Sequence, residues 1–97
     1  MHEHSLAKEI WPQLQQIAAS KGLVRVTCVE MTVGMLHGVS ADFLEHSLGH
    51  AFEGTGFEGA VVNITVVDPG QEYDLPGTDD PQTANGWELL ISKMEGE

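Results

Sequence analysis

Two segments rich in β-branched residues, with an amphipathic segment between them, most constrain what this chain can fold into. Residues 25–33 alternate in character, and residues 60–67 form a nearly continuous β-branched run. Both patterns are typical of β-strands, and the second predicts a central strand covered on at least one side. Between them, residues 40–53 carry apolar side chains at helical spacing, beginning with Ser40 as a candidate N-cap. The order strand, helix, strand predicts a helix packed against a sheet.

A further helix and a further strand flank this unit. Residues 6–21 place apolar side chains at helical spacing, with Ser5 as a candidate N-cap and Gly22 as the stop signal. Residues 86–94 resume the alternation of a strand. The combined pattern predicts an α/β (α+β) two-layer sandwich, with two helices packed on one face of a three-stranded mixed sheet.

The apolar positions of these elements predict the core. Trp11 and Trp87 are expected to pack rather than to bind ligands, and Cys28 to pack as a small apolar group. The other core candidates are Leu6, Ile10, Leu14, Ile17, Val26, either Val29 or Met31, Val33, Leu44, Leu48, Ala51, Phe52, Leu89 and Ile91, with Leu90 and Met94 as further options.

Length and charge exclude several classes of function. The chain has 97 residues, enough for one domain, and a formal charge of −11 that repels nucleic-acid phosphates. No run approaches the roughly 18 apolar residues of a membrane span, and the N-terminus lacks a signal-peptide pattern. No catalytic motif stands out. We expect a non-enzymatic cytoplasmic protein, a monomer or weak homodimer, that binds neither nucleic acid nor membrane.

Residues 68–85 differ in composition from the rest of the single predicted domain, 1–97. They hold three of the four prolines and five acidic residues, without periodicity, which predicts an irregular acidic loop. Cys28 is the only cysteine of the chain. Neither an internal disulfide nor a Cys-x-x-Cys zinc site can therefore form within it.

The first three residues, Met1-His2-Glu3, carry the most specific chemistry. The α-amine of Met1, the backbone nitrogen of His2 and Nδ1 of its imidazole can close adjacent chelate rings around one cation. A fourth nitrogen can come from the backbone of Glu3, or another side chain such as that of His4 can fill the position. Planar nitrogen sites select nickel(II) or copper(II) among the common divalent ions.

A series of short motifs follows this start in a fixed order. The series comprises Met1-His2-Glu3, Ser5-Leu6-Ala7, Gly22, Arg25-Val26, Val33-Gly34, Leu44, Gly54-Thr55, Glu58-Gly59-Ala60, Gly86, Glu88-Leu89, Ile91 and Met94-Glu95. In these residues the chain resembles the nickel metallochaperones of the HypA/HybF family, which mature nickel-iron hydrogenases and in some bacteria urease.

The resemblance implies the same helix-on-sheet fold and a nickel(II) carrier for hydrogenase or another nickel enzyme. In the family, the residue matched by His2 supplies the essential imidazole, nearby backbone nitrogens complete the site, and Glu3 belongs to the motif. The implied metal residues are Met1, His2 and Glu3, with His4 as an additional candidate. The implied partners are the maturation GTPase and the hydrogenase large-subunit precursor.

One departure from the family pattern opens an alternative. Family members insert a zinc domain built on two Cys-x-x-Cys pairs where this chain has residues 68–85, so no structural zinc is expected here. The alternative is a HypA-like regulatory or scaffolding module that keeps the fold and partner surface but no longer delivers metal.

Two further histidines have a spacing that suits a metal. His46 and His50 lie one helical turn apart, where two side chains can share an ion. Relatives tend to carry large apolar residues at these positions, and a surface or partly buried pair without metal is the alternative. His37 has no motif around it and stays unassigned.

Overall fold

The computed structural model describes residues 3–74 and 80–97, with residue 3 described by its backbone alone. A short 3-10 turn, Met35–His37, follows the first strand. The helices and strands are α1 (Glu3–Ser20), β1 (Val26–Gly34), α2 (Ala41–Phe52), β2 (Val61–Val67), β3 (Glu72–Asp74), β4 (Pro81–Thr83) and β5 (Leu89–Gly96). Within the described ranges, no helix is long and apolar enough to cross a membrane.

The main sheet has the strand order β2-β1-β5. β1 pairs in parallel with β2 and antiparallel with β5, which confirms the predicted three-stranded mixed sheet. The prediction that residues 60–67 form the central strand was wrong, because β2 lies at an edge of the sheet and β1 at its centre. A β-branched run indicates that a strand is covered on one or both faces, but it does not indicate whether one or two strands pair with it.

One hydrophobic core joins both helices to this sheet and confirms the two-layer α+β architecture. The parallel pairing of β1 and β2 requires a crossover connection, and α2 supplies it. The fully buried side chains of the core are Leu6, Ile10, Leu14, Val26, Val29, Met31, Val33, Leu44, Leu48, Phe52 and Val67.

The sequence pattern left open whether Val29 or Met31 belongs to the core, and the central strand β1 buries both. Val29, Met31 and Val33 alternate onto the core face, as the period of a strand requires. Val26 is also buried, although strict alternation would place it on the other face. An irregularity in the pairing with β5 lies between Val26 and Cys28, and a bulge of this kind returns the next residue to the same face.

The two tryptophans differ in their surroundings. Trp11 packs as expected, with its ring centroid 5.5 Å from that of Phe52 and 5.0 Å from that of Phe57. Trp87 does not enter the core, since 59% of its surface is exposed, so that prediction was wrong. It precedes β5, which begins at Leu89 rather than at residue 86.

A side-chain-capped turn explains the later start of β5. The carboxylate of Glu88 accepts hydrogen bonds from the backbone N–H groups of Asn85 (2.9 Å) and Gly86 (3.0 Å). The side-chain oxygen of Asn85 accepts another from the N–H of Trp87 at 2.8 Å. These side-chain acceptors bind the backbone N–H groups of residues 85–87, which would otherwise be available to pair with a neighbouring strand.

The segment expected to be an irregular loop contains a two-stranded ribbon. β3 pairs antiparallel with β4, and the backbones of Gly70 and Gln71 continue the pairing to Ala84. Tyr73 on β3 hydrogen-bonds with Glu88, so the ribbon contacts the turn before β5. Partial burial, and then the negative charge of Glu88, raise the pKa of Tyr73.

A pair of glycine substitutions tests how closely the end of β1 approaches the turn before β5. Gly34 has an ordinary extended backbone, but a Cβ there would overlap the carbonyl group of Gly86. We expect Gly34→Ala to lower the free energy of unfolding by about 1–3 kcal/mol. A Cβ added at Gly49 in α2 would have no atom within 4 Å, so Gly49→Ala should raise the free energy of unfolding by about 0.5–1 kcal/mol. Urea unfolding followed by circular dichroism measures both, and equal effects would contradict the packing described.

The buried Glu88 predicts a pH-dependent contribution to stability. Burial alone would raise the pKa of its carboxyl group, but hydrogen bonds from the backbone of Asn85 and Gly86 and from Tyr73 lower the pKa below its ordinary value. The carboxylate therefore stabilises the fold at neutral pH, and this contribution is lost as the pH falls through about 4 and below.

We expect Glu88→Gln to reduce the free energy of unfolding at pH 7 by about 1–3 kcal/mol, the usual cost of losing hydrogen bonds to a charged group. The difference from the parent chain should shrink at pH 3, because the carboxyl group of Glu88 is then protonated in the unfolded chain and the advantage of the charged form decreases. Glu9→Gln, at an exposed position of α1, is the control. A difference that stays constant between pH 7 and pH 3 would rule out the role of the charge.

Candidate metal centre

The N-terminal end of α1 is where the sequence predicts a nickel site. Two of the predicted residues, Met1 and His2, lie outside the described residues, as does the side chain of Glu3. The backbone of Glu3 begins α1, two residues upstream of the N-cap predicted at Ser5. His4 follows in the first turn, with an exposed side chain.

The core holds this end of the helix in place. Leu6 is fully buried, and Ala7 and Ile10 are 3% and 1% exposed. The first turn of α1 is thus anchored within two residues of His4. Because the first amide N–H groups of a helix have no acceptor within it, the backbone nitrogens at this end take no part in its hydrogen bonds.

A groove between α1 and α2 opens beside His4. It has a volume of about 280 Å³, and His4 and His50 both line it. This proximity could not be predicted from the spacing of residues along the chain, because the two histidines lie on different helices. The remaining lining residues are Ala7, Lys8, Trp11, Ser47 and Ala51.

His46 and His50 contact each other on α2. Their Nε2 atoms are 3.1 Å apart, and the ring planes meet at 88° with centroids 4.6 Å apart. The Nδ1 atom of His50 lies 3.5 Å from Oε1 of Glu53, and the side chains of both residues are mostly exposed. The predicted proximity of the two imidazoles is therefore present, with a carboxylate next to one of them.

Acidic side chains surround this histidine pair. Asp42, Glu45 and Glu53 line an open depression of about 400 Å³ together with the two imidazoles and Gly49. The carboxylates give the depression a negative potential that favours cations over anions.

His37 has a structural contact that its sequence context did not predict. Its Nε2 atom is 3.0 Å from the backbone carbonyl oxygen of Trp87, and the two rings meet edge to face with centroids 5.5 Å apart. Through these two contacts, His37 connects the 3-10 turn after β1 to the segment before β5.

Among the described residues, the candidate ligands do not form a larger cluster. Within residues 3–74 and 80–97, no group of three or more histidine, cysteine or carboxylate side chains is arranged to hold a metal ion. Cys28 is half-buried on β1 as a free thiol. The histidine pair on α2 brings two candidate metal-binding atoms within 3.1 Å of each other.

Comparison with known proteins assigns the chain to a family. A family model described as "HypA: Hydrogenase/urease nickel incorporation, metallochaperone, hypA" matches residues 1–72. The chain therefore belongs to the HypA family, a family of nickel metallochaperones.

Individual relatives agree with this assignment. The "Hydrogenase maturation factor HypA" of Nitrosospira multiformis is 39% identical over 64 residues, a match that covers 66% of this chain and 56% of the relative. The protein of the same name from Chloroflexus aurantiacus is 40% identical over 67 residues, covering 69% and 59%. The chain thus spans a little over half the length of these relatives.

A solved structure supports the fold. The "Solution structure of the Ni metallochaperone HypA from Helicobacter pylori" superposes with a TM-score of 0.66, over 99% of this chain and 97% of that one. The sequence identity is 13%, so this likeness concerns the fold alone.

Proposed function

We propose that this protein is a nickel(II)-binding metallochaperone for the maturation of a nickel-iron hydrogenase, and that it binds nickel through the N-terminal motif Met1-His2-Glu3. The observation that carries the proposal is the family match, which begins at residue 1 and so includes the motif. The relatives' shared name, hydrogenase maturation factor, favours hydrogenase as the target.

In the proposed site, nitrogen atoms surround the ion. The α-amine of Met1, the backbone nitrogen of His2 and its imidazole Nδ1 take three positions, and the backbone nitrogen of Glu3 takes the fourth. The start of α1 at Glu3 supports this arrangement. An amide at the first position of a helix has no helical hydrogen bond to lose when a metal replaces its proton.

Charge also favours backbone nitrogens over a site of neutral ligands. The N-terminus of a helix carries a partial positive charge of about half a unit, which repels a bare cation. Two deprotonated amides offset the double charge of nickel(II), so the bound site is neutral and the repulsion disappears. The exposed His4 is close enough in sequence to replace one backbone ligand, and we keep it as an additional candidate.

Delivery of the metal involves partners in this proposal. We infer from the family that they are the maturation GTPase and the hydrogenase large-subunit precursor, and that transfer takes place in the cytoplasm. We expect no Cys-x-x-Cys zinc site within these 97 residues, since Cys28 is their only cysteine. We infer from the resemblance that residues 68–85, which include β3 and β4, stand where the family carries its zinc domain.

Nickel titration of the untagged protein tests the site. We expect the parent chain to bind nickel(II) at this site with the visible absorption of planar nickel, and His2→Ala to lose that absorption, because the imidazole closes the chelate. His37→Gln is the matched control, since His37 lies beside Trp87. His4→Ala separates the two choices for the fourth ligand. An unchanged planar spectrum in His2→Ala would refute the N-terminal site.

Maturation in cells tests the physiological role. In a host whose own copy of the gene is replaced, we expect His2→Ala to abolish nickel-dependent hydrogenase activity, because the metal is no longer captured. Urease activity, measured in parallel, shows whether hydrogenase or urease is served. Normal hydrogenase maturation with His2→Ala would favour the regulatory or scaffolding module over the carrier.

A further inference from the structure

We propose that His46 and His50 form a second metal site, on the exposed face of α2, for a divalent late transition-metal ion such as nickel(II), copper(II) or zinc(II). This site is separate from the N-terminal motif and does not depend on it. Imidazole nitrogens suit these ions, whereas magnesium and calcium prefer oxygen ligands.

The distance between the two imidazoles matches a shared ion. Metal–nitrogen bonds to histidine are about 2.0–2.1 Å long, so two such ligands lie roughly 2.9 Å apart at a right angle and about 3.4 Å apart in a tetrahedral site. The observed Nε2–Nε2 separation of 3.1 Å falls between these values. The pair therefore has the required spacing without any change in the helix backbone.

Glu53 sets the tautomer that metal binding needs. Its carboxylate lies 3.5 Å from Nδ1 of His50, which favours a proton on Nδ1 and leaves the lone pair of Nε2 free. Histidines that bind metals commonly have a carboxylate partner on the other ring nitrogen. In the absence of metal, the Nε2–H group of His46 donates to Nε2 of His50. To bind the metal, the neutral His46 changes tautomer: its proton leaves Nε2 for solvent and Nδ1 takes up another, so the lone pair of its Nε2 becomes free.

The surroundings of the pair favour a cation. His50 lies in the last turn of α2, where the helix dipole is negative. Asp42 and Glu45 line the same depression, and Gly49 contributes no side chain that would obstruct it. With two protein ligands, the remaining coordination positions stay open to water or to a ligand from another molecule. Such a site holds an exchangeable ion.

Calorimetric titration in a His2→Ala background tests this site independently of the N-terminal motif. Zinc chloride and nickel chloride are the probes. We expect His2→Ala to bind one ion, and the further change His46→Gln or His50→Gln to weaken that binding by about tenfold or more, with about tenfold for Glu53→Gln. His37→Gln is the matched control and should bind like the His2→Ala parent. Circular dichroism verifies that each exposed-site variant remains folded.

Nuclear magnetic resonance of the imidazole nitrogens with zinc supplies a second readout. We expect the Nε2 signals of His46 and His50 to shift together, while those of His37 stay in place. Absence of binding in the His2→Ala background, or equal affinity with and without His46, would overturn the site and leave the pair as a hydrogen bond only. A failed N-terminal site gives a different result, because the parent and His2→Ala would then bind the same number of ions.

Discussion

The hydrogen bonding of β1 on both of its edges is the constraint on which the rest of the structure depends. Its parallel partner β2 requires the chain to cross over the sheet, and α2 makes that crossing with Leu44, Leu48 and Phe52 buried beneath it. Its antiparallel partner β5 brings residue Glu97 next to the start of β1. There the N–H groups of Val24 and Arg25 both donate to the carbonyl oxygen of Glu97. α1 then packs against α2 and this sheet.

Element types and buried faces could be predicted because they follow from the period of the apolar residues. Strand order could not, since a β-branched run has the same composition at an edge as at the centre of a sheet. The position of Trp87 depended on a tertiary feature: Glu88 accepts the backbone donors of Asn85 and Gly86, which delays the strand. Likewise a glycine is required at position 34 by the close approach of Gly86 and not by the backbone angles of Gly34 itself. This contact between distant residues could not be predicted from the sequence.

The candidate sites were predictable to different degrees. Helical spacing alone placed His46 beside His50, because residues four apart share a helix face. The contact of Glu53 with one particular ring nitrogen, and the groove that joins His50 to His4, depend on rotamers and on the packing of α1 against α2. The geometry of Met1 and His2 lies outside the described residues, so the N-terminal nickel site stays a prediction from motif and family.

The two proposed sites make opposite demands on their helices. At the start of α1 the dipole opposes a cation, so the site proposed there relies on deprotonated backbone nitrogens in a planar set. Near the end of α2 the dipole favours a cation, so the second proposed site uses two neutral imidazoles with one carboxylate behind them. The first arrangement suits retention of one metal, and the second suits rapid exchange. His50 lines both the depression of the second proposed site and the groove that His4 also lines, so the second site lies next to the first turn of α1.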